Sequence, residues 1–315
     1  MNTKTLLPLT LAISTQVAFA SENPLEEIVV TSSRVEMPMR HIGTSVSVLD
    51  AEDIQLRGQT SLADVLRTQT AVAVSNSGGK GKASALRIRG EEGYRTLVRI
   101  DGVEVSDPTG TQVGPQIQHL LSAGVARVEI LRGPQGLMYG ADAGGVINIT
   151  TGLKTEGIGG GVSVETGRYG TQQYNGFVSA GDDTGDIYLS YVDLNSDGFN
   201  TLKADQTLGD DDGYENKTLH LKGSYKLTEE LQLSAVIRDR DSLSEYDSSF
   251  GSSDRETSSD QQTYRFALEY EHGNYSNELS ASRTDVHREN FTAGVSAFLT
   301  EGDITKFEYL GSAKL

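Results

Sequence analysis

Cysteine is absent from the 315 residues. No disulfide and no thiolate chemistry is therefore available, which fits an oxidising envelope compartment. Positive charge is scarce: 27 Lys and Arg stand against 44 Asp and Glu, a formal net charge of −17. Such a surface repels phosphate backbones, so no nucleic-acid partner is expected. Beyond residue 20 no run is long and apolar enough for a membrane-spanning helix. Catalytic spacing is missing too. His41, His119, His220, His272 and His287 are scattered without an H-E-x-x-H pattern, and no G-x-S-x-G occurs. Ser75-Asn-Ser-Gly-Gly-Lys-Gly-Lys82 fails as a phosphate-cradling loop, because Asn76 replaces its first Gly and Ala83 its final Ser/Thr. No enzymatic activity is expected.

What is present divides the chain. Residues 1–20 read as a secretory signal, with Lys4 as the positive start, an apolar stretch over 6–17, and Ala18-Phe-Ala20 as the cleavage site. A membrane anchor is the competing reading, but the apolar run is short and interrupted by Pro8 and Gln16. Residues 21–43 are polar, apart from a β-prone island at Glu26-Glu-Ile-Val-Val-Thr-Ser32.

Residues 44–153 read as a compact α+β domain. Ser45-Val-Ser-Val-Leu49 alternates as a strand, and Asp50 and Asp53 open a short helix that Gly58 ends. Ser61-Leu-Ala-Asp64 has the form of a capping box ahead of a second helix with Leu62, Val65 and Leu66 on its apolar face. Leu86-Arg-Ile-Arg-Gly90 and residues 97–105 read as strands, the second folding back at Asp101-Gly102. Residues 125–131 form another strand, stopped at Arg132-Gly133-Pro134, and 145–151 return as a β-branched strand.

Beyond 151, apolar residues fall on alternate positions. Leu219, Leu221 and Tyr225 share one parity, as do Leu231, Leu233, Ala235 and Ile237, and then Tyr264, Phe266, Leu268 and Tyr270. Lys222, Gln232, Ser234 and Glu269 lie on the other face. A soluble sandwich shares this dyad pattern. Tight turns at 182–185, 228–230 and 272–274, against long acidic connections at 196–214 and 242–262, favour an antiparallel transmembrane β-barrel over residues 154–315. About eight strands are expected, and a barrel of that size is filled by its own side chains, whereas about 22 strands leave room for a plug. The sequence is therefore expected to be the opening part of a longer chain, with the barrel cut after those strands.

The residues at 128–151, Val-Glu-Ile-Leu-Arg-Gly-Pro-Gln-Gly-Leu-Met-Tyr-Gly followed by Ala-Asp-Ala-Gly-Gly-Val-Ile-Asn-Ile-Thr-Thr, resemble the closing segment of the plug domain of TonB-dependent outer-membrane receptors. Ile28-Val-Val-Thr31, Leu86-Arg-Ile-Arg-Gly90 and Val98-Arg-Ile-Asp-Gly-Val103 match further stretches of that family, in the same order. The resemblance implies a plug inside a barrel in the Gram-negative outer membrane. It also implies active uptake of a large, scarce solute: an iron–siderophore, haem or cobalamin. Signalling or adhesion without transport is the alternative.

Glu27, Ile28, Val29, Val30 and Thr31 would then be the TonB box, adding as a strand to a TonB-type periplasmic coupling protein; an ordinary first strand is the other reading. The loops at Ser77, Gly78, Gly79 and Lys80, and at Asp107 and Thr109, would face outward to the ligand, or else be plain solvated loops. Arg87, Arg89, Arg99, Arg127 and Arg132 would meet a polar barrel wall through loose, wet ion pairs. Clustered carboxylates at Asp210, Asp212, Asp241 and Asp247 suit Ca²⁺, which accepts several oxygens without strict geometry. Vitamin B12 receptors of the family resemble this arrangement. A plain acidic loop is the alternative, and no other cofactor is expected.

Overall fold

The computed structural model describes residues 29–30, 37–39, 42–133, 139, 144–152, 156–201, 211–247 and 254–313. The signal segment 1–20, Glu27, Ile28, Thr31 and Asp210 lie outside them. Near the start, β1 (Val29–Val30) pairs antiparallel with β2 (Met37–Pro38) over two residues.

The first domain is built on a five-stranded sheet. β3 (Ser45–Asp50) leads into α1 (Ala51–Leu56), where the Asp50 side chain accepts from the Asp53 amide at 2.8 Å. Gly58, at φ +59°, ends that turn in the left-handed region. α2 (Leu62–Arg67) buries Leu62, Val65 and Leu66 completely, as its spacing predicts. Its expected capping box does not form. Ser61 makes no side-chain cap; it bridges to Leu121 instead, and Asp64 turns to Arg67 at 3.3 Å. The helix start is thus held by a neighbouring segment, whose Leu120 carbonyl accepts from the Leu62 amide.

β4 (Val72–Asn76) and β5 (Ser84–Ile88) form a separate hairpin. β6 (Thr96–Ile100) turns at Asp101-Gly102, both with positive φ, into β7 (Val103–Glu104). Two positive φ angles in a two-residue loop match the right-handed twist of the flanking strands. β8 (Ser106–Asp107) and β9 (Gly114–Pro115) make a short ladder. β10 (Val125–Arg132) and β11 (Gly145–Thr151) pair antiparallel, with Val128 opposite Ile149, and β11 runs parallel to β6. The sheet order is β3-β10-β11-β6-β7. Its core, including Leu49, Leu66, Val98, Val128, Ile130 and Ile147, is closed to solvent by α1 and α2.

The second region is one meander: β12 (Gly157–Thr166), β13 (Gln172–Gly181), β14 (Gly185–Ser196), β15 (Tyr214–Lys226), β16 (Leu231–Glu245), β17 (Arg255–His272), β18 (Tyr275–Thr292) and β19 (Val295–Ala313). Every neighbour is antiparallel. The sheet is open, with β12 and β19 as its edges. Parity holds along most of the strands, with Tyr188, Val192, Leu194, Val236 and Val286 as apolar residues that face inward. Ile187, Tyr191, Leu219, Leu233, Phe266, Tyr270 and Phe307 point outward and exposed. Ser190, Asn216, Thr218, Arg238, Arg240 and Thr263 point inward and are covered by the first domain. Apolar outside and polar inside is the arrangement of a transmembrane barrel wall.

One connection differs from expectation. The long loop expected over 242–262 contracts to 246–254, because β16 extends to Glu245 and β17 starts at Arg255. Ser242, Ser244 and Ser259 are strand residues facing the plug. Above the apolar belt the outward positions no longer need to be apolar, so strand and loop look alike in sequence.

Candidate functional site: the seam between plug and wall

The turn at Asp101-Gly102 carries a carboxylate to the wall. Asp101 Oδ2 lies 2.9 Å from His220 Nε2 and accepts from Thr151 Oγ1 at 2.6 Å. Its Oδ1 accepts from the Thr151 amide at 3.1 Å and faces Lys222 Nζ at 3.3 Å. Burial pushes this carboxyl up, but His220, Lys222 and Thr151 outweigh burial and hold its pKa below the ordinary value. Lys222 also donates to the carbonyls of Thr151 and Gly152. One wall lysine thus binds both the β6–β7 turn of the plug and the point where the plug ends. Further along, Glu104 pairs with Lys306, and Asp107 with Arg288.

The five arginines expected at the wall divide. Arg99 reaches Glu308 on β19 at 3.2 Å. Arg132 donates within the plug, to the Thr70 carbonyl at 2.7 Å and Ser47 Oγ at 2.8 Å. Arg87 pairs with Glu92 at 3.1 Å and Arg127 with Glu129 at 2.8 Å, both partners being plug residues. Arg89 sits at φ +55° beside Gly133, in the plug. The dominant polarity is the reverse of that expected: plug carboxylates Asp101, Glu104 and Asp107 meet wall cations Lys222, Lys306 and Arg288, with His220 also in contact with Asp101. For Arg87 and Arg127 a carboxylate of the plug itself is nearer than the wall.

At the long-loop end a cavity of about 220 Å³ separates the β4–β5 loop from β14 and β15. Gly78, Gly79 and Lys80 line it, with Tyr169, Phe199 and Tyr214 across. Asn76 shapes the loop: its Oδ1 accepts from the amides of Gly78 at 2.9 Å and Gly79 at 2.6 Å. Ser77 Oγ closes back on the Ala83 carbonyl at 2.9 Å. Gly81 lies so near the Tyr214 ring that a Cβ would collide with it. Lys80 donates to Thr60. Lys82, which drew no attention as a functional residue in the sequence, donates to the carbonyls of Asp212 at 3.2 Å and Gly213 at 2.9 Å, at the foot of β15. Burial lowers its pKa to about 8, against the raising effect of Asp212 and Glu245.

The pair expected on the loop at 107–109 sits differently. Asp107 is 1% exposed and committed to Arg288, with Thr109 folded onto it through its amide and hydroxyl, so this pair is seam rather than outward loop. Of the calcium candidates, Asp212 is buried and accepts twice from Thr201, while Asp241 is exposed on the opposite face of the wall. Asp247 follows the end of β16, at the same end of the wall as Asp212. The described residues contain no grouping of three or more potential metal ligands.

The TonB-dependent receptor plug domain model matches residues 38–147. The chain belongs to the TonB-dependent receptor family. It is 33% identical over 225 residues to a vitamin B12 transporter of Vibrio vulnificus, covering 71% of this chain and 36% of that protein. A vitamin B12 transporter of Photobacterium profundum is 32% identical over 253 residues, covering 79% and 41%. The chain thus spans well under half the length of these relatives. Among solved structures it resembles the siderophore receptor PirA of Acinetobacter baumannii, at a TM-score of 0.65, 17% identity and 84% and 44% coverage. The ferric enterobactin receptor PfeA of Pseudomonas aeruginosa follows the same fold, at a TM-score of 0.68, 19% identity and 90% and 47% coverage.

Proposed function

We propose that this chain supplies the plug and the first wall strands of an outer-membrane transporter that takes up a cobalamin. The observation that carries the reading is the seam itself. A permanently sealed plug would be held most simply by apolar packing. Here the plug is held by ion pairs and hydroxyl contacts, which water can replace when the plug is displaced. The relatives at 33% and 32% identity are vitamin B12 transporters, which favours cobalamin over a siderophore or haem. The ligand enters from the long-loop end, where the cavity beside Gly78, Gly79 and Lys80 lies.

Energy comes from a TonB-type coupling protein that adds to residues 27–31 as an extra strand. The two-residue ladder between β1 and β2 is short enough to be exchanged for such a partner. Export through a cleaved signal segment at 1–20 completes the route to the outer membrane. The test is uptake of labelled cyanocobalamin by cells whose own receptor is deleted and replaced by the full-length protein. Val29→Pro should leave surface binding intact and cut uptake by about tenfold or more, because proline removes a ladder donor. Binding of a ferric siderophore or haem in place of cobalamin would reassign the ligand. Equal loss of binding and uptake would remove the coupling role from residues 27–31.

A further inference from the structure

Arg238 and Arg240 of β16 both face the plug and are 6% and 2% exposed. Two positions apart on one strand, their Cα atoms lie about 7 Å from each other, so the cations repel where water is largely excluded. Arg240 donates to Ser242 Oγ at 2.6 Å and Ser259 Oγ at 3.1 Å, both neutral acceptors, while Asp260 and Asp241 bear on it only at longer range. Its Nε and the Nη1 of Arg238 are buried without an acceptor. The carboxylates that bear on Arg238 at longer range are Asp101 and Asp239. Asp101 is already shared by His220 and Lys222. Asp239 is one position along the strand and so on its opposite face.

The plug's counter-charge here is Asp101, both of whose oxygens are engaged by His220, Lys222 and Thr151. His119, 3.0 Å from Tyr214 Oη, is driven well below its ordinary pKa by burial and by both arginines, and is neutral. Beside Arg238 lies a cavity of about 40 Å³. Its polar lining is Arg238, His220, Thr151, Ser190 and Thr218, and the remainder is apolar plug and wall. A single water needs only about 10–15 Å³, so the space suffices for a small ion.

We propose that this cavity is an anion site, occupied by a chloride-sized monovalent anion against the Arg238 guanidinium while the plug is seated. The Thr218 and Ser190 hydroxyls border it, and the ion offsets the charge of the arginine pair. A buried guanidinium left uncompensated is costly, and an anion removes that cost without a side chain. Plug displacement would open the cavity and release the ion. The seated plug is therefore stabilised by halide, whichever solute the receptor carries.

The experiment is crystallography of the full-length receptor in bromide, with anomalous scattering locating the ion. The expected result is a bromide peak beside Arg238 in the wild type that is absent in Arg238→Gln. In parallel, the denaturant midpoint of the wild type should be higher in chloride than in gluconate at equal ionic strength. Arg238→Gln should lose that difference and Arg238→Lys retain part of it. Apparent halide affinity in Arg238→Gln should fall by about tenfold or more, as for a lost charge-assisted hydrogen bond. Water alone in the wild-type cavity, or a peak indifferent to Arg238→Gln, overturns the proposal. So does a midpoint insensitive to chloride.

Discussion

The interior of the plug and the seam around it are both buried, yet they are built from opposite materials. Inside the plug, Leu49, Leu66, Val128, Ile130 and Ile147 pack with almost no exposure. Around it, Asp101, Asp107, His220, Arg238 and Thr263 are just as deeply covered, but by charge and hydroxyl. Apolar packing resists any opening, because exposure to water costs about 25 cal/mol for each Å². A charged seam exchanges one set of hydrogen bonds for another when wetted, so the net cost is far smaller. The difference predicts that conditions which wet the seam loosen the plug's surround before they unfold the plug itself.

Substitutions can break this contrast. Asp101→Ala removes the carboxylate shared by His220 and Lys222 and leaves Lys222 facing the plug without its counter-charge and His220 without its partner. Loss of one partner of a buried pair costs about 3–5 kcal/mol. With no native cysteine in the chain, a single thiol from Thr263→Cys, under the plug, reports the effect. Its labelling should accelerate in Asp101→Ala while plug secondary structure persists. Leu66→Ala should cost about 2–5 kcal/mol by cavity formation, and here the plug itself should lose protection in hydrogen exchange. If both variants loosened the same set of amides, the two regions would not be separable.

Acid should act on the seam alone. The folded Asp101 carboxyl titrates below its ordinary value of 3.8, so its contribution is full above that value and lost as pH falls through the depressed one. The denaturant midpoint of the wild type should drop there, and that of Asp101→Asn should drop less. Lys82 works in the other direction. Its pKa of about 8 lies below the 10.5 of a free lysine, so between these values the unfolded chain binds more protons and stability rises with pH. Lys82→Met should flatten that slope. Least of all, Arg87→Ala should change stability by about 0–1 kcal/mol, because its pair with Glu92 is half exposed.

Much of the architecture is legible in residue order. The parity of Leu219, Leu233 and Phe266 gives the lipid face directly, because each alternate residue meets a different solvent. Asp101-Gly102 announces its turn through local backbone chemistry. What was not legible is pairing across the seam. Lys222 and His220 look like ordinary lumen residues until the wall is folded around the plug, 121 positions from Asp101 in the case of Lys222. The arginines of the plug drew attention because arginine is conspicuous on short strands, yet nearby Glu92 and Glu129 claim two of them. Asp107 looked like a loop residue because Pro108 and Gly110 follow it. Only the fold puts Arg288 within reach.

The wall strands lengthen steadily, from 10 residues in β12 to 19 in β19. The turns at 182–184, 227–230 and 273–274 keep one end level, so the added residues rise from the other. Allowing for strand tilt, the β19 side stands roughly 20 Å taller than the β12 side. The rim of these eight strands is therefore cut on a slant, like the lip of a scoop, high at β19 and low beside the glycine hairpin of β4 and β5.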